Sequence, residues 1–428
     1  MSYSVLDIQN LTNCRIQGFH LDTPTQNLID SSDQLLLTGW VASPDDPISY
    51  LEIRDNCGDV SCCIHTFSLN IERPDVVSHL SNCTINQRCG FTTYLTVLGL
   101  ADNCLLSLNA HTASGERIAL CKIRLNRTPT STHFNPKIHP IIITTIGRTG
   151  STLLMQLLAK HPSITVANQH PYETFALEYW LHIVSNQLYS SHTFLSPIDQ
   201  QRFERDFMSD AQRRTWFQEK YYTMGLHFCQ QAIEDYYHQI CIQQNAHKAS
   251  YFAEKIPYFA GAGTTTWRQL SLVVRELYPD AREIVLVRDF RDMVLSALHF
   301  GAREDTSRDL ESEKATAYLN VTNEVSEFSQ YYKCHQNNTL LVRYEDLILD
   351  TSSILKAIFT YLSISDSDDI VDAIAHHPPQ IDQSHQQHIT SKSILNSIQR
   401  WKRELIPQLQ DKYTDAFRDN LNLFGYDA

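Results

Sequence analysis

The chain has 428 residues, 42% of them hydrophobic and 19% charged, with a formal net charge of −13. That length suffices for two or three hydrophobic cores, and the acidic balance excludes a general nucleic-acid binder, so an anionic ligand must be drawn in by a local basic pocket. No run approaches the length of a membrane span and the start MSYSVLDIQNLTNC lacks the basic-then-apolar order of a secretion signal, so the expectation is a cytoplasmic protein with no membrane span.

Residues 1–127 give short runs rich in β-branched and apolar residues, such as QLLLTGWVA, SYLEIRD, CGFTTYLTVLGL and CLLSLNAH, broken by SPDDP, DNCGD and ASGE. This pattern predicts an all-β, sandwich-like accessory domain. Eight of the 11 cysteines fall here (Cys14, Cys57, Cys62, Cys63, Cys83, Cys89, Cys104 and Cys121), while Cys229, Cys241 and Cys334 come later. With an odd total, no CxxC pair and no export signal, they read as buried free thiols, and no metal site is expected. The polar, proline-bearing stretch 128–138 reads as a linker, and residues 139–428 as the domain that carries the chemistry.

The stretch Ile142–Leu158, IITTIGRTGSTLLMQLL, runs an apolar strand into a tight turn and then a helix. Gly147 and Gly150 allow the bend and a close backbone approach, and the new helix at Ser151 turns its free N–H groups and positive dipole end into the same space. The GxxxxGK[ST] loop of nucleotide triphosphatases supplies a lysine here. This turn has Arg148 instead, whose planar fork suits tetrahedral anions without a metal. The competing reading is a corner whose arginine merely faces solvent.

Residues 173–250 are helical in pattern, with segments such as ALEYWLHIV and QQAIEDYYHQICIQQ, and read as an acceptor-side insertion. Strands at 283–287 and 339–343, each followed by a helix, continue a parallel α/β sheet with flanking helices. After the first of them, Arg288-Asp289-Phe290-Arg291-Asp292 opens the amphipathic run MVLSALHF, so a second helix N-terminus lies beside charged residues. Arg288 and Ser296 can share one phosphate only if it lies beside that helix's first turns. The Gln/His-rich piece 382–388 reads as a mobile loop rather than a metal site for His385 and His388.

The GRTGST loop and VRDFRDMVLS together resemble the sulfotransferases that use 3′-phosphoadenosine 5′-phosphosulfate (PAPS), which have a P-loop NTPase-like α/β fold. AEKIP at 253–257, LYPDA at 277–281, RYEDL at 343–347 and IQRW at 398–401 occur in the order found in the tyrosylprotein-sulfotransferase branch and its bacterial relatives. The resemblance implies that Arg148, Thr149, Gly150, Ser151 and Thr152 bind the 5′-phosphosulfate and that Arg288 and Ser296 bind the 3′-phosphate. It further implies Lys255 near the transferring oxygens, Tyr344 near the nucleotide, and Ser384 and Arg400 on a late loop over the cofactor. The two arginines would then grip opposite ends of one nucleotide.

The family's general base has its nearest equivalent in Glu173, with His170 as a competitor. The catalytic set implied is Glu173, Lys255, Arg148 and Ser384, acting in line on an acceptor hydroxyl of a small molecule, glycan or peptide. Each residue also has a plainer reading: Glu173 as a carboxylate at a helix start, Lys255 as a strand-edge charge, Tyr344 as an aromatic anchor. For the whole chain the alternatives are a kinase or triphosphatase, which needs a loop lysine and a metal carboxylate such as Asp289, and a catalytically silent nucleotide sensor. The sandwich reads as an acceptor-presenting, carbohydrate-binding, structural or dimerising module, so a homodimer is compatible with the sequence.

Overall fold

The structure, a computed structural model, describes residues 3–11, 15–30, 34–43, 45–80, 88–167, 172–181, 221–258, 266–376, 390 and 393–428. The chain divides into two compact units: the first combines Met1–Asn135 with Ala176–Ile233 and Gly263–Pro279, and the second combines Pro136–Phe175 with Glu234–Ala262 and Asp280–Ala428.

In the first unit the strands are β1 (Tyr3–Asn10), β2 (Gly18–Thr23), β3 (Ile29–Asp30), β4 (Gln34–Ala42), β5 (Ile48–Cys57), β6 (Val60–Phe67), β7 (Gly90–Thr96), β8 (Asn103–Thr112) and β9 (Arg117–Arg127). They form a six-stranded sheet, β3-β1-β9-β8-β5-β6, and a three-stranded sheet, β2-β4-β7, all antiparallel. Inward positions of both sheets, among them Leu35, Leu37 and Phe91 from the smaller and Ile53, Leu106 and Ile123 from the larger, share one buried cluster. This is the face-to-face burial that alternating apolar residues dictate.

Where the sandwich ends, Glu276 in the helix Thr266–Leu277 accepts from Arg127 at 2.5 Å, from the Thr130 amide at 2.6 Å and from the Gly99 amide. Gly99, at φ 77°, lies so close to Leu272 that a Cβ there would sit 2.3 Å from its backbone. Among the described residues Cys57, Cys62, Cys63, Cys89, Cys104, Cys121, Cys229, Cys241 and Cys334 are not in disulfides; Cys14 and Cys83 lie outside them.

The second unit is built on a parallel sheet of β10 (His139–Ile146), β11 (Ile164–Thr165), β12 (Tyr251–Tyr258), β13 (Arg282–Val287) and β14 (Leu340–Arg343), in the order β11-β12-β10-β13-β14. The near-continuous apolar runs IIIT in β10 and IVLV in β13 are buried on both faces, as a helix-covered parallel sheet requires. Ile141, Ile143, Ile284 and Leu286 join Leu154 and Leu158 of the helix Ser151–Leu158 and Leu355, Ile358 and Phe359 of the helix Thr351–Tyr361 in one core. Chain order runs outward from β10 to β12 on one side and to β13 on the other, so the crevice at its carboxyl end is where such a sheet takes a ligand. No helix of the described residues is long and apolar enough to cross a membrane.

Candidate functional site

Four adjacent strand ends deliver the candidate residues. β10 leads into the loop 147–150, β12 carries Lys255, β13 ends at Arg288 and β14 leads into Tyr344. The loop turns through two left-handed positions, Arg148 at φ 69° and Gly150 at φ 89°. At Gly150 the requirement is double, because a Cβ would also sit 2.3 Å from the Tyr344 ring, whereas one at Gly147 would meet open space. Gly150 caps the helix Ser151–Leu158 with no side chain, which leaves its first N–H groups to a ligand. Thr149 turns inward: its hydroxyl bonds to the Ile146 carbonyl at 3.0 Å and to the Thr145 hydroxyl, tying the loop to β10.

Arg288, 5% exposed, donates to the Arg148 carbonyl at 3.1 Å and to the Ser397 carbonyl at 2.7 Å, with its guanidinium 4.8 Å from the centre of the Tyr344 ring. The Tyr344 hydroxyl lies 2.9 Å from that of Ser397. Arg148 donates from Nε to the Ser296 hydroxyl at 3.3 Å and lies 4.7 Å from the Phe300 ring centre. Ser296 in turn meets Thr390 at 3.1 Å, which accepts from Arg400 at 3.2 Å, and Arg400 pairs with Glu404. Burial, followed by the charges of Arg288 and Arg303, pushes the Arg148 guanidinium down to about 10. The side chain of Arg148 thus reaches the Ser296 hydroxyl, and its carbonyl takes a hydrogen bond from Arg288.

This cluster fits an anion. Nε of Arg288 is buried with no hydrogen-bond partner among the described residues, and its other nitrogens donate to the carbonyl oxygens of Arg148 and Ser397. Such a group of cations is stabilised by a bound phosphate or sulfate.

On β12, Lys255 is 4% exposed and donates to the Thr152 hydroxyl at 3.2 Å, and its ammonium is 2.8 Å from the Glu173 carboxylate. Burial pulls its affinity for a proton down, Glu173 opposes this, and Arg148 adds to it. The structure therefore brings Glu173, Lys255 and Thr152 together as one group and Arg148, Arg288, Ser296, Arg400 and Tyr344 as another. Ser151 is half-buried at the helix start between them. Ser384, His170, His385 and His388 lie outside the described residues.

The sequence reading missed Arg303, Thr390 and Ser397. Arg303 follows Ser296 by two helical turns on the same face, a spacing that marks it; Thr390 and Ser397 belong to no motif. Asp289 is fully engaged, accepting from Arg291 at 2.9 and 2.8 Å and from the Trp401 indole at 3.1 Å. Among the described residues no group of three or more His, Cys, Asp or Glu side chains could hold a metal ion.

Solved structures similar to this chain include the sulfotransferase domain from the curacin biosynthetic pathway, at 14% identity over 68% of this chain and 99% of that one, TM-score 0.38. The sulfotransferase domain from the Synechococcus PCC 7002 olefin synthase matches at 20% identity over 70% and 100% of the two chains, TM-score 0.36. A mouse sulfotransferase complexed with PAP matches at 13% identity over 68% and 86%, TM-score 0.35. No curated protein matches. The model of the sulfotransferase family matches residues 140–368, more than half of the chain and the whole span from β10 past β14, so this chain belongs to the sulfotransferase family.

Proposed function

We propose that this sulfotransferase takes the sulfuryl group of PAPS to an acceptor hydroxyl on a small molecule, glycan or peptide. The observation that carries this reading is the buried Arg288 guanidinium, met by two carbonyl oxygens with its Nε unpartnered among the described residues, together with the capless N-terminus of the helix Ser151–Leu158. When bound, the nucleotide supplies an activated sulfuryl group and a leaving phosphate. The loop N–H groups of residues 149–152 and Arg148 hold the 5′ end, and Arg288 and Ser296, with Arg400 and Arg303 close behind, hold the 3′-phosphate.

Glu173 takes the acceptor's proton. Lys255, held between Glu173 and Thr152, offers its ammonium to oxygens that gain charge, and Ser384 steadies the leaving group. Positioning and charge stabilisation supply the catalysis in such a site, each charge-assisted bond being worth roughly 1.5–3 kcal/mol. A kinase reading is disfavoured by the engagement of Asp289 with Arg291 and Trp401, which leaves that carboxylate unsuited to magnesium.

The test is a titration with adenosine 3′,5′-bisphosphate against ATP–magnesium, followed by transfer of labelled sulfate from PAPS to phenols, sugars and peptides. Tighter binding of the bisphosphate and labelled product are expected. Preference for ATP–magnesium, or no transfer to any acceptor class, overturns the reading.

A further inference from the structure

Glu173 stands in a segment without regular structure, between two left-handed residues, Tyr172 at φ 68° and Phe175 at φ 50°. Two such non-glycine positions cost free energy, and they persist only where the surroundings fix them. The fixing contact is visible. The Thr174 hydroxyl lies 3.1 Å from that of Tyr237, and Tyr237 donates its own proton to the carboxylate of Glu254. A phenol has one proton to give, so Thr174 is the donor in the first bond. Tyr237, on the helix Tyr221–Gln243, is fully buried and stacks on Phe252 at 4.0 Å between ring centres and 18° between planes.

Glu254 and Lys255 are consecutive on β12, so their side chains leave opposite faces of the sheet. Lys255 holds Glu173 on one face, while Glu254, through Tyr237, holds Thr174 on the other. β11 pairs only with Tyr251 and Phe252, so β12 has no strand partner on that side farther along among the described residues. Consecutive residues of the segment 172–175 are thus held from the two faces of β12.

We propose that Tyr237, through Thr174, is a positioning residue that sets the Glu173 carboxylate against Lys255. The inference rests on Glu173 being the base. Tyr237 acts on neither nucleotide nor acceptor but by holding the backbone beside Glu173.

The experiment compares Tyr237→Phe, Thr174→Val and Thr174→Ser with the unaltered chain. Amide hydrogen exchange over residues 172–175, affinity for adenosine 3′,5′-bisphosphate, and kcat and KM for sulfate transfer are measured on each. Tyr237→Phe and Thr174→Val should speed exchange in the segment and lower kcat, each at least about tenfold, with bisphosphate affinity and KM unchanged. Thr174→Ser, which keeps the hydroxyl, should restore both, and the double variant should be no worse than the poorer single one. Unchanged exchange overturns the proposal, as does unchanged turnover in an active enzyme or a Thr174→Ser variant as poor as Thr174→Val. A wild-type chain that binds no bisphosphate and transfers nothing refutes the assigned function instead, and the exchange measurement still decides whether Tyr237 holds the segment.

Discussion

Arg288 and Arg291 stand three residues apart where β13 gives way to the helix Phe290–Glu304, and both are buried, at 5% and 3% exposure. Their surroundings are opposite. Arg291 is clasped by both oxygens of Asp289, by the Thr414 hydroxyl at 3.0 Å and by the Asp427 carbonyl at 2.8 Å, with the Trp401 ring centre 3.8 Å away. Arg288 meets two carbonyls and an aromatic face, and its Nε has no partner among the described residues. A buried guanidinium neutralised by a carboxylate holds a fold together, whereas one left among neutral oxygens carries uncompensated charge and is poised for an anion.

That contrast is open to attack by substitution. Arg291→Ala should cost the most stability, about 3–5 kcal/mol, because it strands the Asp289 carboxylate in a buried place; urea unfolding measures it, and a loss under about 1 kcal/mol would erase the distinction. Gly150→Ala should follow, at about 1–3 kcal/mol of strain, since the residue sits at φ 89° and its new methyl would lie 2.3 Å from the Tyr344 ring. The same variant should bind adenosine 3′,5′-bisphosphate more weakly, and isothermal titration checks this. Arg288→Ala and Arg148→Ala should each weaken bisphosphate binding at least about tenfold, some 1.4 kcal/mol, while destabilising less than Arg291→Ala does. Equal stability losses for Arg288→Ala and Arg291→Ala would break the comparison.

How far the sequence revealed this site follows the same division. The loop 147–152 and the Arg288–Ser296 spacing were legible because a strand, a glycine turn and a helix start are all local, and local geometry fixes where their N–H groups and side chains go. That β13 and β14 continue a parallel sheet from β10 followed from apolar runs alternating with helical patterns. What was not legible depends on contacts between distant segments. Nothing near Arg148 in sequence says that its side chain turns to Ser296, and nothing near Thr174 announces Tyr237, 63 residues later. The plainer readings of Lys255 and Tyr344 also depended on such contacts. Lys255 lies inside β12, buried against Thr152 and Glu173, and Tyr344 closes on Gly150 while bearing Arg288 on its face.

Asp292 lies in the first turn of the same helix, and its titration reports on the charge of Arg288. It is fully buried, its Oδ1 accepts from the Trp401 amide at 2.8 Å, and its Oδ2 has no partner among the described residues. Burial pushes its carboxyl up to about 7; Arg288 opposes the rise, while Asp289 and Glu345 add to it. A carboxyl whose folded value exceeds its unfolded one stabilises the fold fully below the unfolded value, near 4, and loses that contribution as pH climbs through the folded value. Between pH 6 and 7.5 the wild-type chain should therefore lose about 1 kcal/mol that Asp292→Asn does not lose. Glu404, held down to about 2 by His299 and Arg400 against its burial, acts in the opposite sense and only at more acid pH, outside that window. Urea midpoints for the two proteins at several pH values give the difference directly. Parallel curves would mean that Asp292 is ionised throughout and shares the charge of Arg288, and Arg288 would then resemble Arg291 more than the anion site allows.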